Sequence, residues 1–509
     1  MPNRNSRVPG APRPLTRRGF LQAAVGTTGL LLLTACGGAT APATKPAEAP
    51  KPTEAPKPAA PAAAASPAAS PAAAASPAAG ASPAASPAAS PAAGASPSPA
   101  AAAPAAPRKP ANLSGVTLSV LQWSSFIPDA DPYFKKQIED GFMKETGAVV
   151  NIEFVNANDI QPKTAAAIQS GSGPDVIGMR ENWTHIYAEA EVDVTDVAEE
   201  FKQQYGDFYP GLDAYSKVGG KYLSVPHDQG SNAVHWRKDW FKDVGVTEFP
   251  KTYAEWHAAG KKLKDKGQPF GQALGHSFGD PPSWCYPMMW GYGGQEVDAN
   301  GKVAINSPET IAAVAEMKTA WTEAYDETGL AWDDSSNNRA FAAETISACL
   351  NGASIWWVAK KENWPFFNDI GLDLNPAGPK GRFLFGGGDY YAVMKYSKNV
   401  EAAKEFIRWS MRDDVWMPWF ELNGSYVGGV SVKHDAAAPW NKFPPIAQVF
   451  KEFGPAVRTI GYPGPPNAKA GLAWSKYIIV DMFAKACQGD SPEAAVKWAE
   501  SELKQVYEV

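Results

Sequence analysis

Between Thr40 and Pro110 the chain does little but repeat proline, alanine and serine, in units such as ASPAASPAAG. This stretch holds no aromatic and no branched apolar side chain. It therefore cannot bury enough surface to offset the entropy of ordering its backbone. Its prolines favour extended polyproline II at about 3.1 Å per residue, stiff over a few residues only. Residues 37–111 are expected to be a disordered tether, and whatever folds must lie beyond them.

The leader explains what the tether is spaced from. Arg4, Arg7, Arg13, Arg17 and Arg18 precede an apolar run from Phe20 to Ala35, and the first acidic residue is Glu48. A basic leader before a modest apolar stretch has the layout of a secretory signal. Interrupted by Gly26, Thr27, Thr28 and Gly29, the run is shorter than the about 20 residues of a spanning helix. TRRGFL, with Arg17 and Arg18, resembles the twin-arginine export motif. LTAC resembles a bacterial lipobox, whose cysteine, here Cys36, becomes the lipidated first residue of the mature protein. Residues 1–36 are thus expected to be a twin-arginine-type lipoprotein signal peptide, and the protein to sit lipid-anchored at the outer face of the cell membrane. The lipid is its expected membrane contact, because no later stretch is apolar enough to cross a bilayer.

All 18 tryptophans lie past the tether. The segment from about residue 112 to Val509 is near 400 residues, large for one core and comfortable for two lobes. With the five leader arginines set aside, 42 Lys and Arg face 53 Asp and Glu. That balance argues against nucleic acid, since neutralising phosphates needs a basic face. Beyond Cys36, the cysteines Cys285, Cys349 and Cys487 are odd in number, far apart and in no metal-ligand spacing. They leave room for one disulfide at most and point away from a metal or iron–sulfur centre, so no metal and no cofactor is expected. GxxxxGK[ST], HExxH and a GxGxxG after a strand are all missing, and no catalytic residues are assigned.

Periodicity places a strand at Val116–Trp123, an amphipathic helix over DPYFKKQIEDGFMKET stopped by Gly147, and a second strand at VVNIEFV. A helix over NDIQPKTAAAIQS and a short strand, PDVIGM, follow. Strands alternating with helices indicate a parallel or mixed sheet covered by helices. Further on, Thr252 and Glu255 form a capping box, and Ser307-Pro308 and Ser491-Pro492 each give a serine cap with proline in the first turn. Val314, Trp321 and Tyr325 fall at helical spacing, which assigns Trp321 to the core; Phe406, Trp409 and Trp498 read the same way.

Several segments, in order, resemble the bacterial extracellular solute-binding proteins of family 1, the group that includes the maltose-binding proteins of ABC importers. FMKETGAVVNIEFV resembles their F-x-K-x-T-G helix end and following strand. KTAAAIQSGSGPDVI resembles their aaiasG-x-gPDv segment. The most specific match runs from Tyr222 to Lys264, a g-x-P strand, a crossover, then yYnkdlf and G-x-x-x-P-x-T-w-e-E. SACLNGASIWW is similar to a-m-x-i-n-G-x-W. The resemblance implies an α/β fold, periplasmic-binding-protein-like type II, with two lobes, a hinge and a ligand cleft between them. Crossings are expected near Asp228–Gly230, Glu344–Ile346 and Gly388–Tyr391. Lobe one would then be 112–228 plus 346–388, and lobe two 230–344 plus 391–509.

In the sugar-binding branch of that family, ligands stack on aromatic rings while polar side chains bond their hydroxyls. On that basis the resemblance implies a ligand-binding set. Trp123 ends the first strand, and Asn182 and Trp183 in RENW follow the third. Asp228 and Gln229 stand at the first crossover, where the maltose-binding pattern has a Glu and this chain has Gly230. Trp284 and Tyr426 come from the second lobe's segments, Trp356 from NGASIWW, and Asp389 and Tyr390 from GGGDYY. A set rich in rings and poor in charge favours a neutral sugar. The expected function is capture of a mono- or oligosaccharide by hinge closure, as a monomer, with delivery to the transmembrane subunits of an ABC permease. An exported glycoside-active enzyme or a ligand-presenting sensor is the alternative.

Overall fold

The computed structural model describes residues 111–508 apart from Ser231 and Ser425. The expectations for Arg17, Arg18, Cys36 and the tether lie outside the described residues.

Local signals decide most of the first lobe. Strand β1 (Thr117–Trp123) leads into helix α1 (Ala130–Gln137), which continues through a π-helical stretch, Ile138–Phe142, to Thr146. Gly147 ends it at φ 77°, a left-handed conformation that costs glycine little. Strand β2 (Val149–Val155) then pairs with β1 in parallel, Thr117 opposite Val149. Helix α2 (Ala157–Ser170) starts where the Asn156 side chain accepts from the Asn158 amide. Strand β3 (Val176–Arg180) joins the other edge of β1 in parallel and runs into the short helix α3 (Trp183–Tyr187). Strand β4 (Ser224–Pro226) closes this part of the chain.

A two-residue strand, β5 (Gln229–Gly230), bridges to the second lobe. There β6 (Ala233–Arg237) is the middle strand of a three-stranded antiparallel sheet. Helix α4 (Tyr253–Lys264) opens with the reciprocal Thr252–Glu255 capping box read from the sequence. Helix α5 (Asp280–Tyr292) is followed by α6 (Pro308–Ala324), whose Ser307 cap accepts from the Thr310 amide. Next come α7 (Ser336–Ala342), β7 (Ala348–Asn351), α8 (Ser354–Glu362) and β8 (Ile370–Asp373). Both β7 and β8 pair with β6.

The lobe boundaries differ from the expected ones. Residues 348–373, placed in lobe one from the sequence, complete the second sheet: Ala233 faces Asn351 and Arg237 faces Ile370. No crossing occurs at Glu344–Ile346, because Ser347 is tied to the Arg237 amide and to the Pro269 carbonyl within lobe two. The return crossing leads to β9 (Asp389–Val393), which inserts antiparallel between β3 and β4 and gives the first sheet the order β2-β1-β3-β9-β4. So 389–393, expected in lobe two from residue 391, belongs to lobe one. Helix α9 (Val400–Ser410) packs against β9, and α10 (Asp413–Leu422) against α1. The strand β10 (Val427–Gly428) pairs with β5 at the junction. Helices α11 (Ala468–Ser475), α12 (Ile478–Cys487) and α13 (Pro492–Tyr507) then finish the chain, α12 and α13 packing on α6. The physical reason is simple. An all-buried run such as Ala348–Asn351 fits the open edge of either sheet, and only its tertiary partner decides which.

The core readings hold. Trp321, Phe406 and Trp409 are buried, while Trp498 is half-buried with the Lys485 ammonium 4.7 Å above its ring. Cys285, Cys349 and Cys487 are free thiols. Among the described residues no helix is long and apolar enough to cross a membrane.

Candidate functional site

The strands of both sheets end at one cavity of about 50 Å³, room for a few ordered waters. From the first lobe come Trp123 at the end of β1 and Arg180 and Glu181 after β3. From the second come Asp280 at the start of α5, Asp334, and Asn351 at the end of β7. Asp228 and Tyr426 stand at the junction.

Arg180 organises the first-lobe wall. Its guanidinium donates to Asp389 Oδ1 at 3.0 Å, reaches Glu181 Oε1 at 3.5 Å, and lies 4.6 Å from the centre of the Trp123 ring. Asp389 Oδ2 also accepts from Gln122 at 3.3 Å, and the Asp389 amide donates to Asp228 Oδ1 at 3.3 Å. Asp228 Oδ2 is 3.2 Å from His227 Nδ1. Burial pushes the Asp389 carboxyl up to about 7; Asp228 adds to the rise and Arg180 opposes it. Burial also raises Glu181. It works against the charge of Arg180, yet Glu181 and Asp389 hold that pKa above its usual value.

On the opposite wall, Asp334 pins the turn that starts α5. It accepts from Ser277 Oγ at 2.6 Å, the Asp280 amide at 2.8 Å and the Gly279 amide at 3.0 Å. Asp280 accepts from Asn337, which also donates to the Leu350 carbonyl and accepts from Asn351 at 3.1 Å. Burial raises the pKa of both acids. Among the described residues no group of His, Cys, Asp and Glu is arranged to hold a metal ion.

The expected binding residues divide sharply. Trp123, Asp228 and Tyr426 line the cavity, and Asp389 lines a hollow beside it. Trp284 does not: it is packed among Tyr253, Trp256 and Tyr325 in the second-lobe core. Trp356 packs on Phe367 at 5.4 Å, away from the cavity. Tyr390 is fully buried beside Tyr215, and Gln229 is buried in the β5–β10 pair. Asn182 and Trp183 point across to the other lobe. Asn182 Nδ2 donates to the Asn467 carbonyl at 3.3 Å, and the Trp183 ring packs against Phe278 and Trp474. Sequence reasoning passed over Arg180, Glu181, Asp280 and Asp334. The signal for the first two was the RENW turn itself, read two residues too far along.

Two further pairs of atoms tie the lobes where α2 meets the second lobe. Gln161 Nε2 donates to Ser475 Oγ at 2.9 Å, and Asn158 Nδ2 to the His276 carbonyl at 3.3 Å.

Comparison with known proteins places this architecture. Residues 127–415 match the family model described as bacterial extracellular solute-binding protein. A probable ABC transporter-binding protein of Deinococcus radiodurans is 25% identical over 211 residues, 40% of this chain and half the length of that relative. The diacetylchitobiose binding protein DasA of Streptomyces coelicolor is 25% identical over 319 residues, 59% of this chain and 70% of its own. Among solved structures, maltose-bound MalE3 of T. maritima superposes with a TM-score of 0.68 at 21% identity, covering 77% of this chain and 100% of its own. A solute-binding protein of Agrobacterium radiobacter K84 in complex with ribitol gives 0.65 at 21% identity, covering 78% and 100%. These last two likenesses establish the type II periplasmic-binding fold.

Proposed function

Because the chain belongs to the bacterial extracellular solute-binding protein family, we propose that it captures a carbohydrate outside the cell and hands it, chemically unchanged, to the transmembrane subunits of an ABC permease. The capture is by hinge closure, and the lipid on Cys36 keeps the protein at the membrane while the tether lets the lobes sweep the space above it.

One observation carries this reading. Elements of both sheets wall a single cavity in which the Trp123 and Tyr426 rings stand among Arg180, Asp228, Asp280 and Asn351. A pyranose offers apolar C–H faces to such rings and hydroxyls to such polar groups. So narrow a cavity supports entry by parting of the lobes, and the crossings at 227–230 and 374–388 supply hinge segments. Relatives with a named ligand point the same way, one binding diacetylchitobiose and others solved with maltose or ribitol.

The test is a thermal-shift screen of the purified protein against mono- and oligosaccharides. A saccharide at 100-fold its dissociation constant adds about 2.7 kcal/mol of stability. At least one sugar is expected to raise the melting temperature and shrink the radius of gyration by scattering. Hydrolysis of a bound glycoside would overturn the reading, as would indifference to the whole panel.

A further inference from the structure

Charges at the cavity are lopsided. Among its described lining residues Arg180 is the one cation, while Glu181, Asp228, Asp280 and Asp334 are acids and Asp389 stands just behind. Arg180 is already engaged by Asp389, Glu181 and the Trp123 ring. Most of the acids are also answered from within the protein. Asp334 has two amides and a hydroxyl, Asp280 has Asn337, Asp228 has the Asp389 amide, and Asp389 has Arg180 and Gln122.

Glu181 is the exception. Only 2% exposed, it has Arg180 at 3.5 Å on Oε1 and, among the described residues, no hydrogen-bond partner on Oε2. The backbone is built to hold it there. Glu181 adopts φ 29°, a left-handed conformation uncommon outside glycine. Opposite it, a Cβ on Gly387 would sit 2.7 Å from Glu181 Cγ, so glycine is what gives the side chain room. A buried carboxylate oxygen without a donor is costly. The group that satisfies it best is a charged donor, and closing the lobes around it strengthens that attraction.

We propose that the ligand carries a free protonated amine, and that this ammonium docks on Glu181 while the body of an amino sugar or amino polyol lies against Trp123 and Tyr426. This rests on the carbohydrate reading and narrows it. A neutral sugar would leave Glu181, Asp228 and Asp334 facing one another with a single arginine between them; the ammonium adds a second cation to that group. An N-acetylated sugar presents a bulkier, uncharged amide at the same place. The aromatic faces add attraction for a cation held over them.

Isothermal titration of the purified full chain against glucosamine and its β-1,4-linked dimer, their N-acetylated counterparts, glucose, maltose, spermidine and calcium chloride separates the outcomes. The free-amine sugars are expected to bind at least tenfold more tightly than the N-acetylated and neutral ones, and to weaken as sodium chloride rises. Glu181→Gln, nearly the same shape without the charge, is expected to erase most of that preference. Its melting curve shows whether the variant is folded, and the wild-type ligand ranking stands as a test without it. Equal or tighter binding of a neutral or acetylated sugar overturns the amine proposal and leaves the carbohydrate reading intact. Binding of spermidine or calcium with none by any sugar overturns both, and so does silence from the whole panel.

Discussion

Trp183 is where fold and motion meet most directly. It sits on α3 in the first lobe, fully buried, with the Phe278 ring 5.4 Å away at 88° and the Trp474 ring 5.9 Å away at 42°, both from the second lobe. Replacing a buried tryptophan by alanine costs about 3–5 kcal/mol of folded stability. Part of that cost belongs to the contact between lobes. Two aromatic pairs at about 0.5–1.5 kcal/mol each assign about 1–3 kcal/mol to the closed arrangement, lost whenever the lobes part. Trp183→Ala should therefore disfavour closure by that amount, although the ring touches no ligand. Ligand affinity falls with the population of the binding-competent state, so the weakening should be about 5- to 150-fold. The assay is a titration with whichever saccharide stabilises the wild type most, beside scattering of the free and ligand-saturated variant. The variant should need more ligand to reach the same compact profile. Unchanged affinity alongside a lowered urea midpoint would refute the reasoning and reduce Trp183 to packing within the fold.

Trp356→Ala, at a position expected from the sequence to stack on ligand, should instead lower the urea midpoint by about 3–5 kcal/mol equivalent and leave the affinity of the folded protein within twofold of wild type. Trp123→Ala should do the reverse, weakening ligand binding by about 1–3 kcal/mol, as loss of an aromatic anchor does, with titration calorimetry as the readout. Asp334→Ala orphans the Gly279 and Asp280 amides at the start of α5 and should cost about 2–4 kcal/mol in urea unfolding; a variant as stable as wild type would mean that solvent replaces the carboxylate. Glu296 is fully buried, and burial pushes its carboxyl up to about 7 against a hydrogen bond from Tyr507. An acid whose folded pKa lies above its unfolded value of about 4.3 loses stability as pH rises from there through 7. The stability of wild type relative to Glu296→Gln should fall across that window in parallel urea titrations, and a flat difference would contradict the burial argument.

What the sequence disclosed, and what it withheld, follows the range over which each feature is decided. The caps at Thr252, Ser307 and Ser491 are settled within four residues, and each forms as read. The alternation of strands and helices from Thr117 to Arg180 is likewise local, because each strand's pattern and each helix's stop are written in consecutive side chains. Lobe membership is not local: Ala348–Asn351 looks equally apolar from either sheet, and its partner lies more than 100 residues away. Trp284 lies away from the cavity for a related reason. Helix α5 is buried from Asp280 to Gly291, so it has no polar face against which to judge which way Trp284 points.

The RENW turn sets the sharpest limit. Its order alone put Asn182 and Trp183 nearest the ligand, but the left-handed φ at Glu181 turns the chain early. Arg180 and Glu181 therefore reach the cavity, while the next two residues reach the opposite lobe. One backbone angle thus exchanges a reading of uncharged contacts for an acid-rich wall. It is also what the amine proposal rests on, in place of the neutral sugar expected from the sequence. That angle persists because Gly387 leaves space for the displaced side chain. On the amine proposal, ligand preference depends jointly on residues 181 and 387, which no local pattern connects. A Gly387→Ala substitution should force Glu181 out of its place and remove the amine preference as surely as removing its charge, and retention of that preference would break the link between the turn and the ligand.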